Sequence, residues 1–150
     1  MDYISSVGIT VGLLAGAWVY LSGLAGFCGF AGFLGWASYF AAGGKKEGSM
    51  KALCCNLSGV FWGVATITLV PLLPSPFGLV ITILAAAIMC WQAKIPLLSF
   101  IPGTFIGNAC FYANGNDWIG TSIGLVFGIA LGFVSDQLAH ALSRPTPKAK

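Results

Sequence analysis

Apolar residues run through most of this chain in stretches far longer than a soluble helix or strand needs, and polar residues fall between them in short clusters. Apolar runs of about 18 residues or more predict transmembrane helices. Six spans fit the pattern, at about 4–21, 24–43, 51–70, 77–93, 95–114 and 118–140. Between the third and fourth, Pro71 to Pro76 reads PLLPSP, and three prolines exclude a regular helix there. The end, SRPTPKAK, reads as a polar tail, disordered and cytoplasmic over residues 144–150. The expected fold is an all-α integral membrane protein with one membrane domain over residues 1–143.

Glycine is the second pattern. In the second span Gly23, Gly26, Gly29, Gly32 and Gly35 recur every third residue, with Phe27, Phe30 and Phe33 each just after a glycine. In water each helical glycine costs roughly 1 kcal/mol against alanine. In lipid, small residues let helix backbones touch, and that contact replaces the missing hydrophobic drive. The row therefore predicts either a tightly packed central helix or one that loosens and lends backbone to a solute path. Gly8, Gly12 and Gly16 form a similar face on span one, and Gly120, Gly124, Gly128 and Gly132 on span six. These two rows exceed what a thin bundle of six helices needs, so a homo-oligomer, dimer or trimer, is expected with one such face at the contact.

Composition agrees with the pattern. The chain of 150 residues is 57% hydrophobic and 7% charged, against about 25% charged in soluble domains. The first apolar segment lacks a basic n-region and a cleavage site, so it is expected to stay as a span. Net charge is +3, but its placement carries more than its size. Lys45, Lys46 and Lys51 lie between spans two and three, Lys94 between four and five, and Arg144, Lys148 and Lys150 after span six. With the N-terminus in the cytoplasm all seven fall inside, and the outer loops carry only Asp117. Both termini are thus expected in the cytoplasm. No basic surface for nucleic acid is formed. The five cysteines are scattered through apolar segments without a CxxC pair, so neither a disulfide framework nor a zinc or other metal site is expected. No cofactor is implied.

The chain also matches itself. FLGWASYFAAGG from Phe33 lies over FIGNACFYANGN from Phe105, with Phe33/Phe105, Gly35/Gly107, Ala37/Ala109, Ala41/Ala113 and Gly43/Gly115 identical. The same offset pairs Ile9-Thr10-Val11 with Ile81-Thr82-Ile83, and Gly48-Ser49 with Gly120-Thr121. Two repeats follow, about 4–72 and 76–142. Each holds three spans, an odd number, so the second must enter the membrane from the opposite face. Inverted repeats are common in channels and transporters, with the solute near the midplane. A small membrane protein can also duplicate for packing alone.

Span five carries the most pointed local signal. Pro102 removes a backbone donor, Gly103 adds freedom, and Thr104 can cap a fresh helix from Phe105 to Asn114. That piece would begin near mid-membrane and present free N–H groups there; a proline kink satisfied by its neighbours is the alternative. Asn56 and Asn108 are amides in lipid, where polar groups are costly. The duplication brings spans two and five together, so the expected solute path is Phe33, Gly35, Ser38, Pro102, Gly103, Thr104, Phe105 and Asn108. Asn108 is either a path residue or an interhelical hydrogen bond. Asp136 and His140 share one face of span six near its end and can reach water there. No ionisable residue lies deep in the first five spans, so voltage sensing and carboxylate-based ion coupling lack their parts. No nucleophilic triad, HExxH, Walker loop or dinucleotide fingerprint occurs, and an enzyme is not expected. A neutral interior bearing hydroxyl, amide and aromatic groups suits a channel or facilitator for a small uncharged polar solute. A secondary transporter, and a structural, assembly or regulatory membrane subunit, are the alternatives.

The layout and the stretch PGTFIGNACFYANG resemble a family of small bacterial inner-membrane proteins, domain of unknown function family 1097. The resemblance covers nearly the whole chain and implies a multi-pass bacterial inner-membrane protein without naming an activity. The paired halves also look loosely like urea channels and aquaporins. The NPA motif of such pores is missing here, so that likeness is one of layout alone.

The charge pattern makes topology testable. Reporter fusions at Ser75 and Asn116 are expected to score periplasmic, and fusions at Lys46 and Lys150 cytoplasmic. A periplasmic signal at Lys46 would overturn the orientation.

Overall fold

Each helix begins and stops where local chemistry permits. In the computed structural model, which describes residues 1–143, α1 spans Tyr3–Ala25. Asp2 caps it by accepting from the Ser5 amide at 2.8 Å, and Ser5 also holds the exposed Asp2 carboxyl below its usual pKa. Gly26 closes α1 at φ 68°, a left-handed conformation glycine takes without a Cβ penalty. That stop gives Leu24 and Ala25 to α1, so α2 starts only at Gly29 and ends at Ala41. Gly43, Gly44 and Lys45 all take positive φ in the tight turn into α3, Lys45–Leu69. Its start lies six residues before the expected 51, because the turn, and not the last lysine, sets the boundary.

A short 3-10 turn, Val70–Leu72, carries Pro71 and ends α3. α4 follows as Gly78–Trp91, α5 as Ile101–Ala113 and α6 as Trp118–Leu142, the last capped by Asp117. α5 corrects one expectation. Pro102 does not precede a new helix capped by Thr104; it sits in the first turn of α5, and Thr104 lies inside the helix. A missing N–H is free of cost in a first turn, so the helix starts just before proline. The residues upstream form a separate turn, Pro96–Leu98.

Among the described residues the secondary structure is entirely helical. Tyr3–Ala25, Lys45–Leu72 and Trp118–Leu142 are long and apolar enough to cross a membrane, and Gly78–Lys94 is a shorter apolar helix. At 13 residues each, α2 and α5 reach only about 20 Å, short of a hydrocarbon core of about 30 Å. The tail over residues 144–150 lies outside the described residues.

Two helix pairs hold the bundle. α2 lies along α6, and α5 along α3. A Cβ on Gly128 would overlap the carbonyl oxygen of Gly32, and one on Gly35 that of Leu125. In the other pair a Cβ on Gly59 would overlap the Thr104 carbonyl oxygen, and one on Gly107 that of Asn56. Contacts advance in step along both members, so each pair runs parallel. Ala31, Val60, Cys110, Phe111 and Leu125 fill the space where the pairs meet. α1 packs outside against α6, and α4 outside against α3.

The two long glycine rows meet different fates. Gly124, Gly128 and Gly132 lie against α2, while a Cβ on Gly120 would meet its own helix cap, Asp117, and the Asn114 side chain at the end of α5. On α1, a Cβ on Gly8, Gly12 or Gly16 would meet no atom within 4 Å, so that face points away from the bundle. The structure thus uses the α6 row inside one chain.

Gly59→Ala and Gly128→Ala each drive a methyl group into a backbone carbonyl. Each is expected to cost about 3 kcal/mol, the upper end of the usual overpacking range, read as a lowered Tm in detergent. Gly12→Ala, whose added methyl group meets nothing within the chain, should leave the Tm of the monomer unchanged or raise it. Equal melting of all three would mean that the helix backbones do not touch.

Candidate functional site

Near the middle of α3 stands a fully buried amide, Asn56. Its Oδ1 accepts from Ser38 Oγ on α2 at 3.2 Å. Its Nδ2 has no hydrogen-bond partner among the described residues. Gly103 of α5 lies alongside, where a Cβ would stand 3.1 Å from Asn56 Oδ1 and run into the Phe100 ring. Three helices therefore converge on one amide that is only half satisfied.

A second polar group adjoins it. Gln92 Nε2, just past α4, donates to Thr104 Oγ1 at 2.8 Å. Gln92 Oε1 accepts from Ser58 Oγ at 2.7 Å and from Trp62 Nε1 at 3.3 Å. This amide uses both ends and ties α4 to α3 and α5. Asn108 Nδ2 donates to the Gly59 carbonyl at 3.3 Å, an interhelical bond to backbone.

Of the residues expected along a path, Ser38, Gly103 and Thr104 gather around α3. Gly35 is buried too, but against Leu125 on α6. Asn108 is half-buried on the α3 backbone. The structure does not bring Phe33, Pro102 and Phe105 to the interior: Phe33 is 41% and Phe105 43% exposed, and Pro102 is exposed as well. The glycines of α2 and α5 that contact backbone turn those faces inward, which sends Phe33 and Phe105 outward. Gln92 escaped the sequence reading because it lies beside Lys94 at an apparent span end. Only a fold that bends back over α3 makes it internal.

The other polar centre is at the end of the bundle that carries Lys45 and Lys46. Asp136 of α6 is 5% exposed. Tyr3 of α1 donates to its Oδ1 and Tyr39 of α2 to its Oδ2, each at 2.6 Å. The Lys45 amide donates to the Tyr39 oxygen at 2.9 Å, which holds the positive-φ turn into α3. His140 Nε2 stands 3.4 Å from Asp136 Oδ1, and its ring lies 4.8 Å from that of Tyr3. A buried carboxylate is costly unless paired and hydrogen-bonded; here two phenols and an imidazole supply the partners. Asp136 thereby pins the ends of four helices. Its partners on α1 and α2 were not legible, since Tyr3 and Tyr39 are far from it in the chain. Among the described residues no three His, Cys, Asp or Glu side chains converge as a metal would require.

The family described as Protein of unknown function (DUF1097) has a model that matches residues 8–140. The chain belongs to this family. The chain is 34% identical to Uncharacterized protein YahC of Escherichia coli, over 99% of this chain and 98% of that protein. It is 40% identical to Inner membrane protein YcdZ of Escherichia coli, over 87% of this chain and 85% of the relative. Inner membrane protein YcdZ of Salmonella typhimurium is also 40% identical, over 87% and 86%. No solved structure matches the chain. With its long apolar helices, this DUF1097 chain is a helical membrane protein.

Tyr39→Phe removes one phenol from the buried carboxylate and the acceptor for the Lys45 amide. Hydrogen bonds to charged groups contribute about 1.5–3 kcal/mol, so a stability loss of that size, read as a lowered Tm, is expected. Proteolysis between Ala42 and Gly48 should quicken. An unchanged Tm would show that Asp136 is solvated in the folded protein.

Proposed function

We propose that this chain is a channel or facilitator for a small uncharged polar solute in the bacterial inner membrane, built as two inverted three-helix repeats. The observation that carries the reading is the convergence of Ser38, Asn56, Gly103 and Thr104 near the middle of the long helix α3. These are neutral hydrogen-bonding groups in a region where lipid offers none. Among the described residues no buried cation or carboxylate lies at that depth, which disfavours ions, whose desolvation is costly.

The repeat reading draws support from the register of the glycine contacts. Gly32 against Gly128 answers Thr104 against Gly59; Gly35 against Leu125 answers Gly107 against Asn56; Tyr39 against Gly132 answers Phe111 against Gly63. Members on α2 and α5 differ by 72 residues throughout, and members on α3 and α6 by 69. A register shorter by three, close to one turn, keeps the same helix face inward. It also means that Gly48-Ser49 does not answer Gly120-Thr121. Each half lends its short helix to the long helix of the other half. α2 runs toward the end bearing Lys45 and α5 away from it, as inversion requires.

The open face of Gly8, Gly12 and Gly16 suits contact with a second copy in lipid. This face replaces the α6 row as the proposed oligomer contact, because α6 spends its glycines on α2. YcdZ is named an inner membrane protein, which supports the location proposed here.

Purified protein in liposomes is expected to speed the entry of at least one solute among urea, short amides, glycerol, ammonia and water. Its mass in detergent should be a multiple of the monomer, reduced by Gly12→Leu. A preparation inert to the whole panel would favour a structural or regulatory subunit. A strictly monomeric mass would remove the α1 contact.

A further inference from the structure

The proposed repeat supplies an internal comparison for its own site. Shifting Asn56 by 69 residues gives Leu125; shifting Ser38 by 72 gives Cys110, and Gly103 by the same step gives Ala31. Leu125, Cys110 and Ala31 are fully buried and lie together in one apolar cluster. The same three-helix junction therefore exists twice, once as Leu, Cys and Ala, and once as Asn, Ser and Gly. Among the described residues, the apolar version holds no amide or hydroxyl, only the Cys110 thiol. The polar version leaves Asn56 Nδ2 without a partner at 0% exposure. Turning the amide over would orphan its oxygen side in the same way, since Ser38 is its one side-chain partner. A buried unsatisfied amide is destabilising where an apolar residue of similar size fits.

We infer that Asn56, with Ser38 and Gly103, is a binding site for a short neutral amide, a molecule of the acetamide or urea class. The inference rests on the channel reading above and names its solute. Asn56 Nδ2 donates to the ligand carbonyl oxygen. Ser38 Oγ, which spends its own proton on Asn56 Oδ1, keeps lone pairs to accept a ligand N–H. The missing side chain of Gly103 lets the Phe100 ring pack into its Cβ position beside Asn56, so a ligand fits there only when that ring moves aside. Phe100 is the N-cap of α5, half-buried and without a side-chain capping bond, so its ring is the movable wall of the site. A charged ligand is disfavoured, because no counter-charge is buried at this junction.

Asn56→Leu installs the residue that the second half already uses. It is expected to keep or raise Tm and to lower acetamide and urea flux at least tenfold. Independently of flux, the Asn56 side-chain amide signal of 15N-labelled wild-type protein should shift saturably with acetamide and be missing from the variant spectrum. A lowered Tm for Asn56→Leu would make Asn56 a structural residue and overturn the inference. So would an amide signal indifferent to acetamide, or unchanged flux in a conducting variant. If wild-type protein conducts nothing while the Asn56 signal still titrates, the binding site stands and the channel reading fails.

Discussion

The backbone-to-backbone contact of glycine crossings governs this bundle. Lipid gives helices no hydrophobic reason to associate, so cohesion must come from close packing and interhelical hydrogen bonds. At Gly35, Gly59, Gly107 and Gly128 a single added carbon would overlap a neighbouring carbonyl oxygen. No larger residue allows that approach. Once α2 lies on α6 and α5 on α3, the remaining positions follow. Trp18 reaches over Gly32 and donates to the Gly29 carbonyl at 3.0 Å, which fastens α1. Asn108 reaches the Gly59 carbonyl because the helices are close enough for a short amide to cross.

Polar burial takes two forms in this molecule. At the end bearing Lys45, Asp136 is paired on both oxygens, and every partner comes from a helix end that needs fixing. Asn56 is the opposite case, held on one side and left open on the other. In the proposed repeat, Phe111 and Ile67 stand where Tyr39 and Asp136 do, and Leu125 stands where Asn56 does. Leu125 is buried in an apolar cluster, whereas Ile67 is 38% exposed, so only the central polar group is replaced by apolar packing in the other half. Asp136 fastens helix ends, whereas the half-satisfied Asn56 fastens little, which points to function in the centre.

Much of the fold was legible from the chain. Long apolar runs and the PLLPSP break are local signals, and they located most helix ends to within about four residues, while α2, α3 and α5 start five or six residues from the expected places. Pro102 was misread because a proline permits two outcomes, a kink or a first turn. The choice between them depends on where the upstream chain must go, here into the turn at Pro96–Leu98.

By itself the sequence determined the helical membrane class and the ability of certain faces to approach closely, since these depend on hydropathy and side-chain size along one segment. It did not determine which face meets which. Gly8, Gly12 and Gly16 look like Gly124, Gly128 and Gly132 in the chain, yet one row is open and the other is filled by α2. Only the tertiary structure decided that Phe33 and Phe105 turn outward, that Gln92 turns inward, and that Asn56 meets Ser38 and Gly103 with one end unpaired. The reason is physical: the cost or use of a polar group is set by its neighbours in space, and these come from helices far apart in the chain.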